Sequence, residues 1–199
     1  IIDNANCGVK LENKVLYLGV ESNIFNEKIR CKLKNIVFVG TLKKRKRVGE
    51  LLQLAEIFPD INFNIIGDGI DKVSLKIKAT KNVLFHGSLT QIELASKLND
   101  MDLHILPSIS EGFPKVVLEA ASAGIPSILY SDYGASEWIV NNKNGFIVND
   151  FEELSSKVNS LINNRNLLSS NSEGAILLAK KFDWKIVINE WEEVLCNLR

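Results

Sequence analysis

Short apolar runs alternate with stretches of helical periodicity along most of this 199-residue chain. In one stretch Val48, Leu51, Leu52, Ala55 and Phe58 recur at intervals of three and four, which predicts an amphipathic helix. The apolar runs show little polar alternation, as is typical of strands buried on both faces of a parallel sheet. Strands are predicted at residues 14–18, 35–39, 61–66, 82–85, 101–106, 127–130 and 145–148. Helices are predicted at residues 48–58, 70–78, 91–98, 134–140, 151–162, 166–181 and 184–198.

The regular alternation of strand and helix predicts an α/β fold with a Rossmann-like, doubly wound parallel sheet. In such sheets ligands bind beyond the carboxyl ends of the strands. Several turn residues fall at those predicted ends: Gly40, Gly67, Gly87, Pro107 with Ser108, and Gly134. The chain is expected to be a single domain over 1–199, with its binding site at this edge of the sheet.

The most informative segment runs from Leu106 to Pro126 and reads as strand, loop and helix. Pro114 opens a run of helix formers, and proline suits the first helical turn because its missing N–H needs no partner there. Gly124 suits the position just past the helix end. The start of this helix presents free backbone N–H groups, and its dipole favours an anion.

Two carboxylates, Glu111 and Glu119, bracket the start of that helix. If the helical rise held throughout, eight residues would span about 12 Å. A nucleotide sugar has a matching layout, because carboxylates accept hydrogen bonds from sugar and ribose hydroxyls while backbone N–H groups suit the phosphates between them. The alternative is that Glu111 only complements the helix dipole and that Glu119 lies on an exposed stripe.

Composition narrows the function classes. The formal net charge is zero, so no global field attracts nucleic acid. Cys7, Cys31 and Cys196 are far apart and odd in number, which indicates a reducing compartment, and a cytoplasmic location is expected. No run approaches the ~20 apolar residues of a membrane helix. Neither His86 nor His104 has a metal-ligand partner nearby in sequence, so no metal site is predicted.

The pattern Glu-Gly-Phe-Pro-x4-Glu-Ala-x-Ala-x-Gly-x-Pro, which begins at Glu111, resembles the Glu-x7-Glu signature of family 4 retaining glycosyltransferases with the GT-B fold. In that family the motif lies in the C-terminal, donor-binding half, and the resemblance covers the chain from about residue 15 to its end. It implies that this chain is a single C-terminal half of a GT-B fold. It also implies that the donor is bound by Glu111, Gly112, Phe113, Pro114, Lys115, Val116 and Glu119.

A second resemblance begins at Gly40, which is followed six residues later by Lys46. The family pattern here is Gly-Arg-Leu-x-x-x-Lys-Gly, whose arginine and lysine hold the donor diphosphate. Lys46 is kept, but Thr41 replaces the arginine and Arg47 replaces the second glycine. Arg45 or Arg47 is a candidate to compensate for Thr41. The alternative is that the five basic residues 43–47 form only a solvated surface.

Two further matches are less specific. Gly67-Asp68-Gly69 resembles the family's Gly-x-Gly turn, and it is expected to let the backbone approach a ligand or a neighbouring loop. His86-Gly87 occupies the position where the family's backbone meets the nucleotide base, although His86 itself is expected to be a strand-end residue. His104, in an apolar strand, is expected to be a hydrogen-bonded core residue.

The resemblance implies a chain that binds a nucleotide-diphosphate sugar, with a UDP- or GDP-sugar expected, for transfer to an acceptor hydroxyl in polysaccharide biosynthesis. No cofactor is expected, and no catalytic residue is assigned to this chain. Residues 1–13 are expected to be a linker or remnant of a missing N-terminal acceptor-binding domain, and the helix at 183–198 crosses to that domain in the family. A peripheral membrane contact is left open. Two other functions also stay open: a nucleotide-sugar epimerase of similar fold, and a non-catalytic nucleotide-binding regulatory module.

Overall fold

The computed structural model describes residues 15–197. The predicted linker at 1–13, and Cys7 with it, lies outside the described residues. Within this range the strands are β1 (Asn35–Val39), β2 (Asn62–Ile66), β3 (Val83–Gly87), β4 (Leu103–Leu106), β5 (Ser127–Tyr130) and β6 (Gly145–Val148). The helices are α1 (Val48–Ile57), α2 (Lys72–Lys78), α3 (Gln91–Leu98), α4 (Lys115–Ser122), α5 (Phe151–Asn163), α6 (Arg165–Lys181) and α7 (Trp184–Asn197).

The six strands form one sheet in the order β3-β2-β1-β4-β5-β6, and every neighbouring pair is parallel. This confirms the predicted doubly wound α/β fold. The strand order reverses between β1 and β4, and the loops that follow these two strands flank the crevice where such sheets bind ligands. The edge of the sheet at the carboxyl ends of the strands is called the carboxyl edge below.

Side-chain caps begin two of the helices. The Thr90 side chain accepts from the Glu93 backbone N–H, and Glu93 reaches back to the Thr90 backbone, so both halves of the capping box are present at α3. The Asp150 side chain accepts from the Glu153 backbone N–H at the start of α5. These contacts satisfy N–H groups that the helix itself leaves without a partner.

Three predicted elements differ from the structure. Residues 15–18 form no strand, and Val20 makes only an isolated bridge with Asp183. The segment packs against α7 instead, where the Trp191 indole N–H donates to the Tyr17 carbonyl oxygen at 2.9 Å.

The predicted helix at 134–140 is a single 3-10 turn, Ala135–Glu137. The Asn144 side chain ends it early, because its oxygen accepts from the Val140 backbone N–H at 2.7 Å and its amide donates to the Trp138 carbonyl oxygen at 3.1 Å. Strand β3 is longer than predicted and includes His86 and Gly87.

Helix α7 leaves part of its apolar stripe uncovered. Val187 is buried, whereas Ile188 and Leu195 are 43% and 58% exposed. The crossing of this helix to another domain remains a prediction.

His104 lies in the middle of the sheet on β4 and is fully buried, as the sequence predicted for a core residue. Its Nδ1 lies 2.9 Å from the Ser127 Oγ. Burial, followed by the charge of Lys46, lowers the pKa of His104 to about 3. The ring is therefore neutral in the folded chain at all ordinary pH values.

We expect the free energy of unfolding to fall on acidification, and His104→Asn to remove part of that fall. A histidine with a lowered folded-state pKa contributes its full stability above about pH 6.5 and loses it as the pH falls towards 3. At about 1.4 kcal/mol per pH unit, the loss between pH 6.5 and 5 is roughly 2 kcal/mol. Urea unfolding of both chains at several pH values measures it.

Asparagine keeps an amide near the position of Nδ1 but does not titrate. The buried carboxyls whose pKa is raised, among them Glu50 and Asp102, have the opposite pH dependence and are the same in both chains. The difference between the two chains therefore isolates His104. Identical pH dependence in parent and variant would contradict the expectation.

Candidate functional site at the carboxyl edge

Three glycines crowd the ends of neighbouring strands at the carboxyl edge. The Gly40 N–H donates to the Ile66 carbonyl oxygen at 3.0 Å, and the Gly67 N–H donates to the Gly87 carbonyl oxygen at 2.7 Å. A Cβ atom at Gly67, where φ is +133°, would lie 1.9 Å from the Gly40 carbonyl oxygen. Gly67 therefore has to be glycine for the loop at Gly40 to lie against it.

Gly69 has the same kind of contact, because a Cβ there would lie 2.3 Å from the Leu42 carbonyl oxygen. Of the two roles expected for the Gly67-Asp68-Gly69 turn, the structure shows the approach of a neighbouring loop. This packing fixes the backbone from Gly40 to Leu42, including Thr41, which is exposed. The Thr41 carbonyl oxygen accepts from the Lys43 N–H at 3.0 Å.

Lys46 is the buried member of the basic loop. It ends a 3-10 turn, Lys44–Lys46, and is only 7% exposed, whereas Lys43 and Lys44 are exposed. Its Nζ forms an ion pair with Glu111, and its Cε would be 3.8 Å from a Cβ at Gly40. The solvated-surface alternative therefore describes Lys43 and Lys44 but is wrong for Lys46. A lysine is rarely so deeply buried unless it is paired.

The two arginines beside Lys46 point to different places. The Arg45 guanidinium donates to the Ser110 carbonyl oxygen, and its Nη1 lies 3.6 Å from the Glu111 Oε1. Arg47 adopts a left-handed backbone with φ +48° and pairs instead with Asp132 at 3.0 Å. Of the two candidates to compensate for Thr41, Arg45 therefore lies beside the Lys46–Glu111 pair.

Glu111 connects the loop after β4 to this basic loop. Its side chain is 10% exposed and contacts both Lys46 and Arg45. The backbone links the same two loops, because the Ile109 N–H donates to the Arg45 carbonyl oxygen at 2.9 Å. The alternative that Glu111 only complements the helix dipole does not account for this buried ion pair.

Phe113 is packed among other aromatic rings. Its ring centroid lies 5.0 Å from that of Tyr17, 5.2 Å from Phe182 and 5.4 Å from Trp138. The Phe113 side chain thus anchors the loop after β4, and Gly112 beside it is exposed. Pro114 precedes the first residue of α4, one position earlier than its expected place in the first turn.

Helix α4 carries the second carboxylate. Lys115 is exposed, Val116 is half-buried, and Glu119 is 7% exposed. Among the described residues, Glu119 has one recorded charged partner, Lys115, whose Nζ lies 3.9 Å from its Oε1. Burial raises the pKa of Glu119, while Lys115 acts in the opposite direction. The alternative of an exposed stripe is therefore wrong, and the carboxylate is buried with little compensation.

His86 lies on β3, where its Nε2 is 2.8 Å from the Asn64 Oδ1 of the neighbouring strand. Burial, with a smaller effect of Lys97, lowers the pKa of His86. Its recorded hydrogen-bond partner therefore lies within the sheet, apart from the contacts of Lys46, Glu111 and Arg45. Gly87, at the end of the same strand, does lie at the carboxyl edge.

Tyr133 was not found by the sequence analysis. It ends the 3-10 turn Ser131–Tyr133, which directly follows β5 at the carboxyl edge. Its hydroxyl is buried and has no hydrogen-bond partner within the part of the chain that the structure describes. The only signal in the sequence was a tyrosine in a loop after a strand, which is common.

The rest of residues 15–197 was compared with the carboxyl edge for other candidate binding sites. A surface groove between β6 and α5 is lined by residues that include Asn141, Asp150 and Lys157. Within the described range there is no group of three His, Cys, Asp or Glu residues that could hold a metal ion, and no helix there is long and apolar enough to cross a membrane. The expectation of no cofactor stays a prediction.

Comparison with known proteins points to one family. The sequence model described as "Glycosyl transferases group 1" matches residues 20–176. An uncharacterized glycosyltransferase of Haemophilus influenzae is 29% identical over 196 residues, which cover 92% of this chain and 55% of the relative. The capsular polysaccharide biosynthesis glycosyltransferase CapM of Staphylococcus aureus is 28% identical over 212 residues, covering 92% of this chain and 54% of CapM. The chain thus spans about half the length of these relatives.

Solved structures share the fold. HepE of Anabaena, in complex with UDP and glucose, superposes with a TM-score of 0.82 at 19% identity over 92% of this chain and 57% of HepE. The C-terminal domain of the group 1 family protein LpcC from Francisella tularensis gives a TM-score of 0.72 at 22% identity, covering 82% of this chain and 97% of that domain. These likenesses confirm the predicted fold, which is that of GT-B glycosyltransferases.

Proposed function

This chain belongs to the group 1 glycosyl transferases, and we propose that it is the C-terminal, donor-binding half of a retaining glycosyltransferase of family 4. It binds a nucleotide-diphosphate sugar at the carboxyl edge for transfer to an acceptor hydroxyl. The observation that carries the proposal is the buried pair of Lys46 and Glu111, which joins the two loops flanking the crevice beside the start of α4. Two charges are expensive to bury, and an anionic sugar nucleotide would explain why they lie there.

In this proposal the diphosphate lies against Lys46, Arg45, the Gly40–Thr41 backbone and the start of α4. Arg45 restores the positive charge that Thr41 does not supply. Cations and free N–H groups at this place stabilise the negative charge that develops on the departing diphosphate. In the proposal these groups take the role that a metal ion has in other transferases.

The hydroxyl groups of the donor are assigned to the two carboxylates, the ribose to Glu119 and the transferred sugar to Glu111. Both side chains are about 10% exposed, so each would make its contacts largely out of water. Lys115 and Val116, in the first turn of α4, contact the donor. The Gly112–Pro114 backbone lies beside the transferred sugar. The base lies near Gly87, whereas the His86 ring remains bonded to Asn64.

The chain spans about half the length of its relatives, and we propose that the complete enzyme has a second domain. An N-terminal acceptor-binding domain would complete the crevice, and the exposed residues of α7 would contact it. The complete enzyme would act in the cytoplasm on a UDP- or GDP-sugar. The UDP and glucose named for HepE support a nucleotide-sugar donor, and the match to the isolated C-terminal domain of LpcC supports the C-terminal half.

We expect the 199-residue chain to bind one nucleoside diphosphate and to transfer no sugar by itself. The reason is that the proposed donor site lies in this chain, whereas transfer also needs the proposed acceptor domain. Calorimetry with UDP, GDP and ADP identifies the base. A transfer assay with the matching sugar nucleotide and a mixture of acceptors then follows. If none of the three diphosphates binds, the donor-site proposal fails.

Robust sugar transfer by this chain alone would contradict the assignment of a donor half. Once an acceptor domain is added, glycosyl transfer supports the proposal. Conversion of the sugar nucleotide into an epimer would identify the epimerase instead. Binding of the diphosphate with neither reaction in the completed protein would identify a regulatory module.

A further inference from the structure

The buried hydroxyl of Tyr133 makes no hydrogen bond that would stabilise the described part of the fold. Its ring packs against the hydrophobic core, and its hydroxyl has no hydrogen-bond partner among residues 15–197. Leaving a buried hydroxyl unpaired destabilises a folded protein, so such a group calls for an explanation. One explanation is a ligand that supplies the missing partner.

The fold places Tyr133 on the Glu111 side of the crevice. Strand β5 pairs with β4, with Leu129 opposite Leu106, and Tyr133 and Glu111 follow these two neighbouring strands at the same edge. The turn is tied to the basic loop by the 3.0 Å ion pair of Asp132 with Arg47, the residue after Lys46. The packing of the ring against the core and this ion pair together connect the turn that carries Tyr133 to the rest of the site.

The charge of Glu111 reaches the Tyr133 hydroxyl. Burial, then Glu111 and then Asp132, raise the pKa of Tyr133. The phenol therefore stays protonated at any physiological pH and can donate a hydrogen bond. The hydroxyl and the Glu111 carboxylate are also complementary in chemistry, because the first donates and the second only accepts.

We propose that Tyr133 determines specificity by donating a hydrogen bond to a hydroxyl oxygen of the transferred sugar, the same hydroxyl that donates to Glu111. A sugar hydroxyl is both a donor and an acceptor, so it fits between a phenol and a carboxylate. A phosphate oxygen, which only accepts, would satisfy Tyr133 but not Glu111. The inference rests on the proposed function and adds to it a contact to the sugar itself.

The test compares a nucleoside diphosphate with its sugar nucleotide. Calorimetry is done with UDP and UDP-glucose and with GDP and GDP-mannose, and the pair that the parent chain binds is used. Tyr133→Phe removes only the hydroxyl. Its affinity for the sugar nucleotide should fall about threefold to twentyfold, while its affinity for the diphosphate stays unchanged.

Tyr130→Phe is the matched control. The Tyr130 hydroxyl, three residues away, already donates to Glu50 at 2.6 Å. Its loss should lower the melting temperature of the chain and leave the ratio of the two affinities unchanged. Tyr133→Phe should not lower the melting temperature, because no recorded hydrogen bond is lost.

The outcomes separate this inference from the function on which it rests. If the parent binds neither diphosphate, the proposed function fails and the inference fails with it. If the parent binds both ligands and Tyr133→Phe binds them as the parent does, the donor site stands and the role of Tyr133 is refuted. An equal loss for diphosphate and sugar nucleotide would place the Tyr133 contact on a phosphate and would also refute the inference. A lower melting temperature for Tyr133→Phe would show that the hydroxyl has a structural partner, and this would also refute the inference.

Discussion

Glu119→Gln is expected to weaken nucleoside diphosphate binding about tenfold to a hundredfold without lowering the melting temperature of the free chain. The proposed contact is a hydrogen bond from the ribose hydroxyls to a charged acceptor, worth about 1.5–3 kcal/mol. Glutamine keeps the shape and one acceptor oxygen but replaces the other acceptor with a donor group. Calorimetry measures the affinity, and thermal unfolding measures the stability.

The pKa of Glu119 gives the sign of the stability effect. Because burial raises this pKa, the folded chain holds the carboxylate less favourably than the unfolded chain does at neutral pH. An uncharged glutamine removes that cost, so the melting temperature at pH 7 should stay the same or rise. The gain should shrink as the pH falls through the folded-state pKa, where the parent carboxyl becomes protonated.

A comparison of ribose and 2′-deoxyribose diphosphates sharpens this test. The parent should prefer ribose, and Glu119→Gln should lose most of that preference. Glu56→Gln, an exposed glutamate on α1, is the control and should behave as the parent. Unaltered affinity together with a large drop in melting temperature would make Glu119 a structural residue.

Lys46→Ala is expected to weaken diphosphate binding by a comparable factor, about tenfold to a hundredfold, and to affect the nucleoside much less. The variant removes the buried cation proposed to face the phosphates, and a hydrogen bond to a charged group is worth about 1.5–3 kcal/mol. Calorimetry with the diphosphate and with the corresponding nucleoside separates a phosphate contact from a general loss of folded protein.

Lys44→Ala is the matched control, because Lys44 lies in the same 3-10 turn but is exposed. It should bind the diphosphate nearly as the parent does. Lys46→Ala also leaves Glu111 with Arg45 as its remaining recorded cation, so a lower melting temperature is expected. If Lys46→Ala and Lys44→Ala bind the diphosphate equally well, Lys46 serves only to neutralise Glu111.

The sheet could be predicted from sequence because most of its strands are nearly continuous apolar runs separated by glycine and helical segments. The exception at residues 15–18 shows the limit of that signal. An apolar run becomes a strand only if it pairs with a neighbouring strand, and this segment packs against α7 instead. The helix expected at 134–140 failed for a local reason, since the nearby Asn144 side chain bonds the backbone groups of Trp138 and Val140.

The burial of Glu119 could be predicted from its apolar neighbours on α4. The choice of Lys46 as a candidate site residue came from the family spacing between Gly40 and Lys46. The sequence could not distinguish Arg45 from Arg47. Their directions depend on the left-handed backbone at Arg47, which turns its side chain towards Asp132. Tyr133 was missed because an unpaired hydroxyl is a property of the folded chain alone. The ring packing of Phe113 could likewise be seen only in the structure, and its donor contact stays a prediction.

A crystal structure of the 199-residue chain with its preferred nucleoside diphosphate tests the central claim most directly. The predicted result places the phosphates within hydrogen-bonding distance of the Lys46 Nζ, at the start of α4, and the ribose hydroxyls on the Glu119 carboxylate. A nucleotide bound elsewhere, for example in the groove between β6 and α5, would contradict the claim. So would a nucleotide at the carboxyl edge whose phosphates do not contact Lys46.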